Sequence, residues 1–167
     1  LKKKIENTHK NVKVIIPKEN LGFGKAVNIG IKEAKTEFVF LTQPDVKLID
    51  DCVRKLTECV KNFKDFSVLT PCDKNNDLFT NYEIYNSYNK SEKSPFNIEE
   101  VDYVDLTWLI NKNNFEDEDL WDENIFLYFE AKDFAKRLKD KNKRIFVTKA
   151  INTYHIGASS HDIKLDY

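Results

Sequence analysis

The chain has 167 residues, 41% apolar and 13% aromatic, which is enough to bury the core of one domain and argues against an intrinsically disordered chain. Its 27 basic and 28 acidic residues leave a net charge of -1, which argues against a general nucleic-acid binder. No apolar run is long enough to span a membrane, and the N-terminal Leu1-Lys-Lys-Lys-Ile-Glu6 lacks the apolar stretch of a signal peptide.

In chain order, residues 12–16 are a β-branched run ended by Pro17, which predicts a short strand. Residues 20–24 read as a turn and 25–35 as a helix, with Ala26, Ile29, Ile31 and Ala34 apolar. Residues 37–42 follow as a strand whose unbroken apolar centre suits burial on both faces. From 46 to 63, Ile49, Val53, Leu56, Val60 and Phe63 make a helical stripe. Residues 67–71 are a third strand.

The Asn-, Ser-, Lys- and Tyr-rich stretch 72–98 is predicted as a long loop serving as a lid, with 73–96 mobile in the absence of ligand. Residues 101–110 read as a fourth strand and Asn113-Asn-Phe-Glu116 as a helical turn. The apolar run 124–129 leads into a helix over 130–141. Residues 144–148 are the last strand, before a polar tail from His155. Strands alternating with helices predict one α/β layered domain over residues 1–167, with a mostly parallel central sheet. Residues 99–133 are strongly acidic and 136–149 strongly basic, a pattern expected at a solvated surface.

The three cysteines, Cys52, Cys59 and Cys72, form no CxxC pair and fit a reducing cytoplasm, with Cys52 and Cys59 as buried thiols. Methionine is absent even at position 1, so the chain reads as a fragment.

Four places carry candidate chemistry. Asp45 follows the strand 37–42, where ligands gather in open α/β sheets; it could meet a divalent cation carrying phosphate oxygens or cap a helix from Val46. Asn20-Leu-Gly-Phe-Gly-Lys-Ala-Val-Asn28 opens a helix with a Gly-x-Gly. It fits either a phosphate at that N-terminus or a glycine turn held by a buried Asn28. Glu130, Asp133 and Arg137 share one helical face, which suits a general base or hydroxyl recognition, but equally capping plus an Asp133–Arg137 pair. His155 becomes a metal ligand only if the fold returns it to Asp45.

The order of these segments is more specific than any one of them. Asn20-Leu-Gly-Phe-Gly-Lys-Ala-Val-Asn28-Ile-Gly30, Phe38-Val-Phe-Leu-Thr-Gln-Pro-Asp45, Trp121-Asp-Glu-Asn-Ile-Phe-Leu-Tyr-Phe-Glu130-Ala-Lys-Asp133 and His155-Ile-Gly-Ala-Ser159 together resemble the family 2 glycosyltransferases, and among them the rhamnosyltransferase-like branch. The resemblance implies a glycosyltransferase A-type, Rossmann-like fold and the transfer of a sugar from a nucleotide-sugar donor to an acceptor hydroxyl, by inversion. Asp45, with His155 as second ligand, would hold Mn2+ or Mg2+ against the donor diphosphate. Asn20, Gly22 and Lys25 would line the donor side, and Glu130 and Asp133 the acceptor side. The implied setting is cell-surface polysaccharide or glycolipid assembly in the cytoplasm, at the inner face of a membrane, with a glycan or lipid-linked acceptor and peripheral membrane association.

The sequence departs from the family in four places. The first strand and helix, which would precede Lys13, are missing. Ala131 stands where the family carries an acid, its leading candidate for the base. Asp105-Leu-Thr107 occupies the small stretch near the acceptor. Thr42-Gln43 stands where Leu-Asn or an acid is common. With Ala131 unable to take a proton, Glu130 is favoured as base, beside the apolar run 126–129 that is expected to be buried, with Asp133 orienting the acceptor. The alternatives are a non-catalytic glycosyltransferase-like domain that binds glycan or protein, and a nucleotidyltransferase of related layering.

Overall fold

The computed structural model describes residues 1–74, 80–85, 94–156 and, for their backbone, 91–92. Helix α1 (Lys2–Thr8) buries no side chain, and α2 (Gly22–Glu33) buries Gly24, Val27, Asn28 and Ile31. Strands β1 (Phe38–Thr42) and β2 (Val46–Leu48) precede α3 (Cys52–Asn62) and β3 (Val68–Asp73). Short strands β4 (Tyr82–Glu83), β5 (Ser91–Glu92), β6 (Ile98–Glu100) and β7 (Tyr103–Val104) lead to β8 (Thr107–Asn111), then α4 (Glu130–Asp140) and the long β9 (Ile145–His155).

The main sheet runs β1-β8-β3-β9-β6-β5, with β2 also on β9, and β4 pairs with β7 in a second small sheet. It is not mostly parallel. Among the described strands only β3 and β9 run parallel; β8 lies antiparallel between β1 and β3, and β6 and β2 pair antiparallel with successive parts of β9. The expected parallel order fails because the chain returns through β8, which inserts antiparallel between β1 and β3.

The period-two alternation of the central strands sends side chains to two cores. Val68, Ile110, Ile145 and Val147 pack with α2 and α4 residues, including Val27, Phe134 and Leu138. Leu69, Leu109 and Phe146 pack on the opposite side with Leu56, Cys59 and Val60 of α3. The result is the expected α/β layering around a mixed sheet.

Several boundaries move. Residues 12–16 pair with no described strand, and Val12, Ile15 and Ile16 are exposed. The helix expected over 46–63 splits, because Val46 and Leu48 pair with β9 and the left-handed Asp50 and Asp51 (φ 47° and 59°) prevent a continuous helix. Val53 then faces solvent, and Cys52, Leu56, Cys59 and Val60 form the buried stripe. The strand expected over 101–110 is broken between β7 and β8 by a left-handed Leu106. The predicted lid, 73–96, lies partly outside the described residues; its described part includes the buried Asp73 and Asn81.

The acidic and basic runs are not separate solvated faces, since they meet across the fold. Arg144 pairs with Glu100 at 2.9 Å and with Asp65, Lys149 pairs with Glu99, and Lys141 and Lys143 converge on the fully buried Asp119 carboxylate at 2.7 and 3.0 Å.

Burial pushes the Cys52 and Cys59 thiols up to about 11, so both remain protonated at neutral pH. In the native protein at pH 8 neither should react with iodoacetamide within an hour, and both should label after denaturation. Rapid native labelling of either, mapped by mass spectrometry, would contradict their burial.

Candidate active site

A cavity of about 1250 Å3 opens beyond the end of β1. Residues 41–45, the β7–β8 joint, the loop before α4, the first turn of α4 and the end of β9 all reach it. Asp45 lies just past β1, an edge strand of the described sheet rather than a central one, and the next residues form β2, so Asp45 caps no helix.

The pairing of β2 with β9 sets Val46 opposite His155. Antiparallel registry therefore carries His155 back across 110 residues to Asp45, and His155 Nε2 stands 3.2 Å from Asp45 Oδ2. Two further bonds hold the strand end. The Ile156 amide donates to the Asp45 carbonyl at 3.0 Å, and the His155 amide donates to Oδ1 of Asp73, itself 2% exposed. Both side chains are half-buried on the cavity wall.

Glu130 lines the same cavity at the first position of α4. Its Oε2 is buried and has no hydrogen-bond partner among the described residues. The apolar run beside it is not buried as expected. Phe126, Leu127, Tyr128 and Phe129 are more than half exposed, and Tyr128 and Phe129 both hold φ 65°. Bulky side chains adopt that backbone at a cost of about 1–2 kcal/mol each, so the loop stays strained and open at the cavity mouth.

Asp133 is not in the cavity lining. It accepts from Arg137 Nε at 2.7 Å, and Arg137 also donates to the carbonyls of Glu118 and Leu120. This favours the intrahelical-pair reading, with the pair anchoring α4 to the preceding turn.

The glycine segment does structural work. Gly22 takes φ 75°, a Cβ there would collide with the carbonyl of Phe126, and the Phe23 amide donates to that same oxygen. Gly24 packs on Trp121 and Asp122 with more room, a Cβ there coming to 3.0 Å from the Asp122 carbonyl oxygen. Asn28, 2% exposed, brackets the Trp121 backbone, donating to its carbonyl at 2.9 Å and accepting from its amide at 3.1 Å. Asn20 accepts from the Gly22 amide. Asn20, Gly22 and the exposed Lys25 do not line the cavity; the first two help hold the segment that walls it.

Over residues 1–119 the chain matches the glycosyl transferase family 2 pattern. That span is well over half of the 167 residues. The chain belongs to glycosyl transferase family 2. No curated protein matches it closely enough to supply a named relative. The family carries the glycosyltransferase A-type fold and acts on a nucleotide-sugar donor and an acceptor. The matched span includes Asn20, Gly22, Lys25, Asp45 and Asp105, whereas Glu130, Asp133 and His155 lie beyond it.

A divalent cation is the group this family implies at Asp45. Among the described residues no cluster of three or more His, Cys, Asp or Glu side chains forms a complete protein cage. One carboxylate oxygen and one imidazole nitrogen nevertheless face each other on an open cavity, and that set suits a cation that takes its remaining ligands from substrate phosphates and water. No described helix is long and apolar enough to cross a membrane.

Sequence reading placed Asp105 in the small stretch near the acceptor but gave it no role, and passed over Tyr103 and Asp73 as site residues. The available signal was a pair of carboxylates, Asp102 and Asp105, inside an otherwise apolar segment that reads as a buried strand.

Proposed function

We propose that this family 2 glycosyltransferase moves a sugar from a nucleoside-diphosphate donor to an acceptor hydroxyl with inversion, using Asp45 and His155 on the donor side and Glu130 as base. The observation that carries the reading is the meeting of Asp45 and His155 at 3.2 Å on the cavity that Glu130 also lines. Asp45 and His155 would hold Mn2+ or Mg2+, which when bound neutralises charge developing on the leaving diphosphate.

Glu130 accepts the proton of the acceptor hydroxyl as that oxygen attacks the anomeric carbon from the face opposite the diphosphate. The new carbon–oxygen bond forms as the bond to the diphosphate breaks, and the nucleoside diphosphate leaves with the electron pair. The exposed apolar loop 126–129 at the cavity mouth supports a lipid-linked or otherwise amphipathic acceptor at a membrane surface. Its segment order supports the rhamnosyltransferase-like branch. Cell-surface polysaccharide or glycolipid assembly at the cytoplasmic face of a membrane fits both features.

The test is calorimetric titration with UDP, GDP and dTDP, with and without Mn2+. At least one nucleotide should bind in a Mn2+-dependent way. Asp45→Asn and His155→Ala should each weaken it by about tenfold or more, since even outer-shell losses at metal sites cost about 10–100-fold. Unchanged affinity in both variants would overturn the assignment.

A further inference from the structure

Between β7 and β8 the chain makes a strained bend. Leu106 is 3% exposed and takes φ 68°, a left-handed conformation that leucine adopts only when its surroundings impose it. The bend puts Asp105 on the cavity wall that also holds Glu130. Both Asp105 oxygens are fixed from the protein side: the Tyr103 hydroxyl donates to Oδ2 at 2.7 Å and the Leu106 amide donates to Oδ1 at 2.7 Å.

Tyr103 is 9% exposed. Burial, the Asp105 charge and hydrogen bond, and the charges of Glu83 and Glu130 all push its hydroxyl well above the ordinary range, so it remains a donor. Three carboxylates thus act on one phenol, and among them Asp105 accepts its hydrogen bond. Among the described residues no lysine or arginine forms an ion pair with Asp105.

Each Asp105 oxygen retains a lone-pair direction beyond its fixed donor, and the buried Glu130 Oε2 has no donor at all. These carboxylates lack hydrogen atoms to accept, and a polyhydroxylated ligand supplies them. We infer that Asp105 is an acceptor-binding residue. It accepts a hydrogen bond from a second hydroxyl of the acceptor, beside the hydroxyl that Glu130 deprotonates. The acceptor is therefore a sugar ring with neighbouring hydroxyls rather than a simple alcohol. Ala131, 7% exposed, brings no acid from α4, and Asp105 brings one from the strand side of the cavity. This inference rests on the glycosyl-transfer reading and adds the acceptor class to it.

The experiment follows backbone amides of the whole chain by 15N NMR during titration with methyl α-L-rhamnopyranoside, methyl α-D-glucopyranoside and methyl α-D-galactopyranoside. It is run with and without UDP, GDP or dTDP and Mg2+, and 2-propanol serves as the simple alcohol. The Leu106 amide reports on Asp105 directly, because it donates to that carboxylate. At least one glycoside should shift it, and 2-propanol should not. Asp105→Asn should weaken that glycoside by about tenfold or more, the loss expected for a hydrogen bond to a charged group. Tyr103→Phe, which keeps the ring, should weaken it less and shows that the fold survives loss of the contact. A Leu106 amide unmoved by every glycoside, or equal affinity in Asp105→Asn, overturns the inference. The donor side is read separately in the same spectra. Mn2+ with nucleotide should broaden the Ile156 amide, which donates to the Asp45 carbonyl. Loss of that broadening while glycosides still shift Leu106 would sink the donor reading and leave the Asp105 subsite standing.

Discussion

Asp119→Ala should lower the stability of the protein by about 3 kcal/mol, read as a fall in the urea midpoint with the slope of the transition unchanged. Asp119 has a fully buried carboxylate with three donors: Lys141 at 2.7 Å, Lys143 at 3.0 Å and the Glu116 amide at 2.8 Å. Burial alone would raise its proton affinity, but the two lysines and the Glu116 amide outweigh it and hold the carboxyl below the usual aspartate value. A carboxylate depressed in the folded state stabilises the protein above its unfolded value of about 3.9, and that contribution disappears as the pH falls through the lower folded value. Asp119→Asn should therefore flatten the acid limb of the stability curve below about pH 4. An acid limb identical to that of the parent would show that Asp119 is not held as its contacts indicate.

Glu130→Gln should reduce kcat by about 10²–10⁴-fold with little change in donor affinity or in stability. The amide preserves the size and helix position of the side chain but cannot take a proton. Two features select Glu130 over Asp133. Glu130 lines the cavity with an unpartnered buried oxygen, and Asp133 is engaged by Arg137 away from it. Wild-type kcat in Glu130→Gln would move the base to another carboxylate, with Asp105 the first to examine.

Elements with a strong local apolar pattern were legible in the sequence. The α4 stripe of Ala131, Phe134, Ala135 and Leu138 follows from periodicity, and β1 and β3 from short apolar runs that feed both cores. Strand direction was not legible, because antiparallel insertion of β8 is set by pairings between residues far apart in sequence and leaves no local trace. The short β2 was hidden for a similar reason: Val46 fits a helical stripe as well as a strand, and only its partner His155 decides between them. The candidate site divides in the same way. The return of His155 to Asp45 was stated as a condition and the fold meets it, whereas Asp105 shares its wall only because Leu106 holds a backbone that no propensity predicts. The glycines were read as a phosphate loop or a turn, and the close approach of residues 121–126 supports the turn.

Glycosyl transfer itself is tested most directly by nucleoside-diphosphate release. The whole chain is incubated with Mn2+, a set of UDP-, GDP- and dTDP-sugars, and the methyl glycosides used above. At least one donor–glycoside pair should release nucleoside diphosphate stoichiometrically with a new glycosidic product, and Asp45→Asn should abolish that release. Metal-dependent nucleotide binding without any product from any pair would contradict catalysis and leave a glycan- or partner-binding domain of this family.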